Sequence, residues 1–533
     1  MPVGYTRTRI PAVPARRHRT TAHLHKRGRN MNIDGESLTL DALAAFESER
    51  PRPVLAPAAR ARMSASCAAV ARAVSEGRVA YGITTGFGAF ARKRISADQV
   101  IALQYNLVRS HACGIGAPLA APLVRRLILL KANSLAVGAS GIRPEIVDAL
   151  LALVANDVLP RIPERGSVGA SGDLAPLAHL ALALIGEGEA DHRGEVLEGA
   201  AVMRAAGLEP VELQAKEGLA LLNGTQLSTA LAIEGWLRAR RLLGVSLLAG
   251  AFCVEALAGS YAPFDARIHA ARRLRGQQAV AAGMRSLLTG SPIHDSHAGC
   301  DRVQDPYALR CMPQVFGAVH DTLAHAGSVL ELEANGVSDN PLVFGDEVLS
   351  GGNFHAEPLA FVSDFMAIAL TELGNISERR SDLLTRQVNP RLELFLTMEP
   401  GLESGFMLAQ VSAAALASEN KTLAHPASVD TIPTSAGQED HVSMAPWAGL
   451  KLLRISENLA HIVAIELLAS AVAIDRMRPL ATTAPLEALH ARIREHIEPH
   501  EHDRRLDRDI AAMAALVLDG GFDNLLPDTP IVW

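Results

Sequence analysis

The sequence predicts an all-α protein, an elongated bundle of long helices with a loop-rich N-terminal domain. Three observations support this fold class. Alanine and leucine dominate the chain, which favours helices, and aromatic residues make up only 4% of its 533 residues. Apolar residues recur at helical spacing over long segments, without the alternating runs of strands. The length exceeds that of one compact core, so more than one region is expected.

Helical periodicity divides the chain in order. The first pattern, from Leu38 to Glu76, has a break at Pro51 to Pro57. Longer helices are predicted to end at Gly259 and to run from Met312 to Glu333, Phe354 to Leu384, Gly405 to Leu423 and Met444 to Arg476. We therefore expect four regions, which are a tail over 1–33, an N-terminal domain over 34–220, a central long-helix bundle over 221–480 and a C-terminal helical tail over 481–533.

Charge and cysteine usage exclude several classes of protein. A formal net charge of -6 gives no general attraction for nucleic acid. Five cysteines without a Cys-x-x-Cys pair indicate reduced thiols in the cytoplasm. Glu255 and Glu466 interrupt the most apolar segments before the roughly 20 residues of a membrane span, so we expect no membrane association. The basic, acid-free start predicts a disordered tail or translation from Met31, with an organelle address as the alternative.

Two loop segments in the first quarter of the chain carry polar side chains suited to chemistry. Tyr81-Gly82-Ile83-Thr84-Thr85-Gly86-Phe87-Gly88 contains too many glycines for a helix, so it is a loop that displays Tyr81. Ser110 and His111 follow after the segment from Gln104 to Val108. Taken alone, Tyr81 could be a structural anchor, and His111 could be a histidine satisfied by its neighbours.

The segment from Gly166 to Leu177 places Ala170-Ser171-Gly172 directly before an apolar helical pattern. Gly172 has no side chain, so its amide nitrogen can approach the carbonyl carbon of Ala170 and close a five-membered ring. Residues 139–141 repeat the tripeptide, but the following Arg-Pro-Glu at 143–145 is typical of a turn at a helix start. The longer context after Gly172 therefore distinguishes the two copies.

Six separated motifs, in this order, resemble those of the aromatic amino acid ammonia-lyases, and the resemblance covers residues from about 35 to about 510. They are the Tyr81 loop with residues 110–116, then 166–177, 219–226, 303–310, 338–341 with 351–355, and 435–444. The resemblance implies an electrophilic prosthetic group, 4-methylidene-imidazole-5-one (MIO), formed autocatalytically from Ala170, Ser171 and Gly172 with the loss of two waters. It also implies Tyr81 as the base for the β-proton, and a homotetramer whose active sites combine loops of several chains.

The same resemblance assigns the residues that bind a small amino acid substrate. Arg310 would bind the carboxylate, and the orienting residues would be Asn223, Gln304 and Tyr307. Phe354 would pack near the ring.

Ser110, His111 and Glu439 resemble the histidine-acting members, which convert L-histidine into trans-urocanate in histidine degradation. A tyrosine or phenylalanine lyase, or a 2,3-aminomutase with the same group, is the alternative. The alternative is a purely structural role for Glu439, as one of two adjacent acidic residues with Asp440 that the helix dipole favours at a helix start.

Three departures from the family pattern bear on the substrate rather than on the reaction. Arg109 stands where an apolar residue is usual, Gly437 stands where Asn is common, and residues 381–396 differ from the histidine-acting members. No His-Glu-x-x-His motif occurs among the 19 histidines, so we expect no catalytic metal.

Overall fold

Long helices form the centre of the molecule, as the apolar periodicity predicts. The computed structural model describes residues 30–297 and 303–527. In chain order, the helices are α1 (Leu40–Glu49), α2 (Pro57–Ser75), α3 (Val100–His111), α4 (Ala121–Ala136), α5 (Pro144–Ala155), α6 (Leu174–Leu184), α7 (Ala200–Ala205), α8 (Glu217–Leu222), α9 (Gln226–Ala256), α10 (Ala266–Arg272), α11 (Arg275–Leu288), α12 (Pro292–Asp295), α13 (Tyr307–Arg310), α14 (Met312–Ala334), α15 (Glu357–Thr385), α16 (Met407–Leu423), α17 (Ala445–Arg476), α18 (Ala484–Arg494) and α19 (Asp507–Leu518). The all-α prediction is confirmed.

Helices α9, α15 and α17 run parallel through the central bundle. Gly449 of α17 lies against Leu231 of α9, and Leu452 lies against Gly235. The contacting positions increase in residue number along both helices, so the two helices point in the same direction. They approach closely because each glycine leaves room for the facing leucine. Helix α15 keeps the same direction, with Arg380 paired to Glu466 near the C-terminal ends of α15 and α17.

Helix α14 runs antiparallel to α9. Its first residue, Met312, lies against Gly250 near the end of α9, whereas Leu323 accepts a hydrogen bond from Trp236 further back. Helix α16 packs beside α15 and α17. It spans 17 residues, fewer than the twenty expected, because Gly405 adopts a φ of +52° and the helix begins only at Met407.

Short strands lie in the connections between the helices, and the helical periodicity of the sequence did not predict them. They are β1 (Asn30–Ile33), β2 (Arg52–Leu55), β3 (Ile115–Pro118), β4 (Leu159–Pro160), β5 (Pro163–Arg165), β6 (Glu189–His192), β7 (Glu195–Glu198), β8 (Leu342–Phe344) and β9 (Glu347–Leu349). Strands β1 and β2 pair in parallel, with Asn30 opposite Arg52, and the remaining sheets, β3-β5, β4-β6-β7 and β8-β9, are antiparallel.

Strand β1 corrects the expected tail at its last four residues. Ile33 is fully buried and pairs with Leu55, so residues 30–33 belong to the folded part. Residues 1–29, and the end of the chain from 528, lie outside the described residues. The break predicted at residues 51–57 is present over 51–56 and contains β2, and α2 begins at Pro57.

One hydrophobic core spans the described chain from Ile33 to Phe522. It crosses positions 220 and 480, and the expected division into domains stays a prediction. Helices α15 and α17 are long and apolar enough to cross a membrane, but 72% and 83% of their most apolar windows are buried inside the protein. This burial is typical of core helices in a bundle. The cysteines at 67, 113, 253 and 311 are free thiols.

Candidate active site

Residues 167–173 lie where the N-termini of several long helices meet. The segment leads directly into α6, and its backbone is bound to the residues that precede α17. Ser443 Oγ donates a hydrogen bond to the carbonyl of Gly169 at 3.1 Å, and the amide of Met444 donates to the carbonyl of Val168 at 2.9 Å. Helix N-termini carry partial positive charge, so this position favours negative charge that develops during a reaction.

The turn before α9 holds the other side of the segment. Asn223 Nδ2 donates to the carbonyl of Ser171 at 2.9 Å, and the amide of Asp173 donates to the carbonyl of Gly224 at 2.7 Å. Gly172 has a φ of +72°, and a Cβ atom there would lie 2.3 Å from Gly224 O. Both the backbone angle and the close approach therefore require glycine at position 172.

These observations fit the prosthetic group that the resemblance implies. Gly172 provides a tight, glycine-only turn, and Ala170 is buried beside Val442 and Met444. Among the described residues, the buried Asn223 Oδ1 has no hydrogen-bond partner, so it can accept a hydrogen bond from a ligand.

Glu439 bonds directly to Ser171. Ser171 Oγ donates to Glu439 Oε1 at 2.5 Å, and Thr434 Oγ1 donates to Oε2 at 2.6 Å. Burial raises the pKa of Glu439, but the hydrogen bonds from Ser171 and Thr434 outweigh it and hold the pKa below the usual glutamate value. The carboxylate is therefore ionised at neutral pH and accepts hydrogen bonds only.

Ser110 and His111 form the C-terminal end of α3. His111 Nδ1 lies 2.9 Å from the carbonyl of Leu107 and 3.0 Å from Ser110 Oγ. Because a carbonyl can only accept, Nδ1 carries the proton and Nε2 has a free lone pair in the neutral ring. Burial lowers the pKa of His111, while the Leu107 carbonyl and the charge of Glu439 oppose the shift. His111 is thus a neutral histidine beside the Glu439 carboxylate.

Tyr81 lies in a loop on the same side of the molecule as Glu439. Its hydroxyl oxygen accepts a hydrogen bond from the amide of Gly88 at 3.0 Å. The 3-10 turn Gly88–Phe90 packs against the 3-10 turn Ser435–Gly437, which directly precedes the Glu439 segment. The Tyr81 loop therefore borders the region around Ser171.

Phe354 is half-buried in the segment before α15. Two residues later, Ala356 lies beside Gly169, because a Cβ atom on that glycine would be 3.5 Å from the Ala356 side chain. The structure thus brings Tyr81, His111, Phe354 and Glu439 to one end of the bundle, together with the Ala170-Ser171-Gly172 segment and Asn223.

Gln304, Tyr307 and Arg310 lie at the opposite end. Asp305 Oδ2 accepts a hydrogen bond from the amide of Ser260 at 2.6 Å, beyond the C-terminus of α9, and Met312 packs on Gly250. Since a helix rises 1.5 Å per residue, this end is about 40 Å from the turn at Gly224. The Arg310 guanidinium lies 4.6 Å from the centroid of the Tyr307 ring, and Tyr307 is 70% exposed. A single chain does not bring these three residues to Ser171.

Two buried ionisable residues, which were not among the predicted site residues, support the segment. Lys131 of α4 donates from Nζ to the carbonyl of Asn223 at 2.7 Å, and burial lowers the pKa of Lys131 to about 7. Burial raises the pKa of Asp173 to about 6, although the carboxylate accepts hydrogen bonds from Ser167 and Ser228. In the sequence, Lys131 is visible only as a lysine within the apolar run of α4, whereas Asp173 lies inside the 166–177 motif.

The departures at 109 and 437 have structural explanations. The Arg109 side chain is exposed and pairs with Glu187, with its Nε and Nη2 atoms at 2.8 Å and 2.5 Å from the carboxylate. Arg109 is thus held by Glu187. Gly437 has a φ of +83°, a conformation that glycine and asparagine adopt most readily, so Gly in place of Asn preserves the turn.

Comparison with known proteins gives consistent results over nearly the whole chain. The family model of the aromatic amino acid lyases matches residues 38–495. Histidine ammonia-lyase from Rhodospirillum rubrum is 55% identical over 494 residues, covering 92% of this chain and 96% of that protein. The crystal structure of histidine ammonia-lyase from Trypanosoma cruzi is 40% identical with a TM-score of 0.86, covering 94% of this chain and 96% of that one. Tyrosine aminomutase from Streptomyces globisporus is 35% identical with a TM-score of 0.89, at 95% and 100% coverage.

Proposed function

Because the chain belongs to the aromatic amino acid lyase family, we propose that it eliminates ammonia from L-histidine to give trans-urocanate. The observation that carries the choice of substrate is the Glu439 carboxylate, bonded to Ser171 Oγ at 2.5 Å and electrostatically coupled to His111. The 55% identity with a histidine ammonia-lyase supports the same conclusion.

We propose that Ala170, Ser171 and Gly172 form the MIO group autocatalytically. When present, this group supplies an electrophile that takes up the amino group or the aromatic ring of the substrate, so that ammonia can leave. The glycine-only turn at Gly172 and the bond from Asn223 to the Ser171 carbonyl support this assignment. The surrounding helix N-termini favour the negative charge that develops there.

The imidazole of the substrate is the proposed hydrogen-bond donor to Glu439. Loss of the Ser171 hydroxyl during ring closure leaves Glu439 Oε1 without its present donor, and a substrate N–H replaces it. An apolar ring would leave this half-buried carboxylate without the bond, at a cost of a few kcal/mol. His111 and Ser110 border the ring from α3, and Phe354 packs against it.

Proton removal from the β-carbon is assigned to Tyr81. A positioned phenol oxygen can take a proton in the transition state. Support comes from the packing of the Tyr81 loop against the turn that precedes Glu439. Asn223, with its free Oδ1, orients the amino group of the substrate.

The remaining substrate contacts are proposed to come from another copy of the chain in a homotetramer. Gln304, Tyr307 and Arg310 lie about 40 Å from the Gly224 turn of their own chain, and Tyr307 is mostly exposed. Supplied by a second chain, the planar Arg310 guanidinium would bind the substrate carboxylate with two parallel hydrogen bonds. The cytoplasmic location expected from the cysteines stays a prediction.

Incubation with histidine, tyrosine and phenylalanine, followed by ultraviolet spectra of the products, tests the proposed function. We expect urocanate from histidine and little product from the other two. A clear preference for tyrosine or phenylalanine, or a β-amino acid product, would favour the alternative lyase or aminomutase. Mass spectrometry of the peptide across residues 170–172 should show the loss of two waters, and Ser171→Ala should abolish nearly all activity.

A further inference from the structure

Three potential metal ligands meet beside the proposed active site. His355, Glu357 and His441 each offer a ligand atom, and these atoms lie within 4.8 Å of one another. Glu357 is the first residue of α15 and His355 lies two residues before it, whereas His441 belongs to the segment before α17, 86 residues after His355. The proposed reaction uses none of them. Because the ligands come from two distant segments, no local sequence motif indicates the cluster.

The orientation of His355 suits a metal ligand. Its Nε2 lies 3.2 Å from the carbonyl oxygen of His441. A carbonyl can only accept a hydrogen bond, so Nε2 carries the proton and Nδ1 has the lone pair. Metal-binding histidines are held in this way, with the second ring nitrogen donating to a backbone carbonyl or a carboxylate. The backbone of one ligand residue thus fixes the tautomer of the other.

The donor set and its accessibility indicate the kind of ion. Imidazole nitrogens and carboxylate oxygens are ligands of Zn²⁺, and a water on the open side would complete four-coordination around the ion. His355 and Glu357 are half-buried, while His441 is exposed, so one side of the cluster is open to water. The His355 and His441 rings are parallel within 5°, with centroids 5.5 Å apart. Rotation of the exposed His441 side chain can bring the ligand atoms to the roughly 3.4 Å separations of a tetrahedral zinc site.

We propose that His355, Glu357 and His441 bind one divalent transition-metal ion, Zn²⁺ by donor preference, and that this ion joins the two segments. The ion would be structural and would not touch the substrate. Phe354 precedes His355, and Glu439 lies two residues before His441, so the ion fixes the spacing between these two proposed ring contacts. Only this consequence for substrate binding rests on the proposed function.

Zinc titration of the full-length Ser171→Ala chain tests the binding without any catalysis. After treatment with a chelator and its removal, calorimetry with ZnCl₂ should detect a site of one ion per chain. His441→Asn and Glu357→Gln should each weaken this site by more than about tenfold. The matched control is His496→Asn, which removes an exposed histidine outside the cluster and should retain the site. Equal zinc affinity and stoichiometry in all four chains would overturn the proposal.

A second measurement covers a variant that folds poorly. Thermal unfolding of the Ser171→Ala chain should shift upward with added ZnCl₂, and the shift should be absent after His441→Asn and retained after His496→Asn. If added ZnCl₂ leaves the unfolding midpoint of the Ser171→Ala chain unchanged, zinc does not bind to the folded state.

The active enzyme then tests the effect on substrate binding. Removal of zinc should raise KM for histidine several-fold while kcat changes less, because the ion positions ring contacts and takes no part in the chemistry. Unchanged KM in a chain that binds zinc would refute the positioning role. If the chain does not turn over histidine at all, the proposed function fails, while the zinc titration still decides the metal site.

Discussion

Replacing Glu439 with glutamine preserves the size of the side chain and removes its negative charge. In the structure, both carboxylate oxygens accept hydrogen bonds, from Ser171 at 2.5 Å and from Thr434 at 2.6 Å. A hydrogen bond to a charged group contributes about 1.5–3 kcal/mol, against about 0.5–1.5 kcal/mol between neutral groups. Replacing the charged acceptor by a neutral one therefore weakens the hydrogen bond from the substrate imidazole N–H by about 1–2 kcal/mol. This is equivalent to a roughly 5–30-fold fall in kcat/KM for histidine.

For a substrate with an apolar ring, we expect Glu439→Gln to raise kcat/KM relative to its value for histidine. The carboxylate of Glu439 is half-buried, and an apolar ring would leave it unpaired, whereas an amide pays a smaller desolvation cost. Glu439→Gln should therefore raise the ratio of kcat/KM for phenylalanine to that for histidine.

The assay is initial-rate kinetics with both amino acids, followed by ultraviolet absorption of the products. Asp440→Asn is the matched control, because it removes one charge from the adjacent, exposed carboxylate. It should leave both rates nearly unchanged. Glu439 does not recognise the imidazole if Glu439→Gln leaves the rates unchanged, as Asp440→Asn should. The same conclusion follows if Glu439→Gln lowers kcat/KM for histidine and phenylalanine by the same factor.

Three further predictions concern the turn, the buried acid and the assembly. Gly172→Ala should prevent the loss of water from the 170–172 peptide, measured by mass, because its Cβ would lie 2.3 Å from Gly224 O; Gly207→Ala, with a φ of +80° and open space around it, is the control for backbone strain alone. Burial holds the pKa of Asp173 at about 6, above its unfolded value of about 3.9, so its contribution to stability is fully present below pH 4 and is lost as pH rises through 6. The difference in unfolding midpoint between Asp173→Asn and the unmodified chain should therefore change over this interval, and a constant difference would contradict the shift. Co-expression of the inactive Ser171→Ala and Arg310→Ala chains should restore activity at about a quarter of the sites if each site combines two chains, and no recovery would place both residues in one chain's site.

The long helices could be predicted from sequence because their pattern is local. A sequence segment from Met444 to Arg476 with apolar residues at helical spacing forms α17, which begins at Ala445 and ends at Arg476. The short strands could not be predicted, since β1 and β2 have four residues each and pair only because the chain returns to the same place. Their stability depends on tertiary contacts that periodicity does not contain.

The candidate site was predicted unevenly for a similar reason. Motifs identify residue types, and those around Ser171 meet because loops precede helices whose N-termini converge. Lys131 was missed, since one lysine in an apolar helix looks like an interruption until its bond to the Asn223 carbonyl is seen. The distance of Arg310 from Ser171 could not be predicted either, because order along the chain does not indicate which end of a bundle a loop occupies.

The length of α9 supports the proposal that a complete site combines residues of more than one chain. Its 31 residues span about 45 Å, with the Asn223-Gly224 turn before its N-terminus and the Arg310 region beside its C-terminal part. Two copies related by a two-fold axis perpendicular to their bundles would be antiparallel, so the N-terminal end of each α9 would lie beside the C-terminal end of the other. Every such pair would create two equivalent sites. Exposed apolar side chains on α15, among them Phe361, Phe365 and Ile368, provide a surface that such a contact would bury. The long parallel core of α9, α15 and α17 gathers helix N-termini around Ser171. In the proposed assembly, the same core places Arg310 far enough away to reach the site of a neighbouring chain.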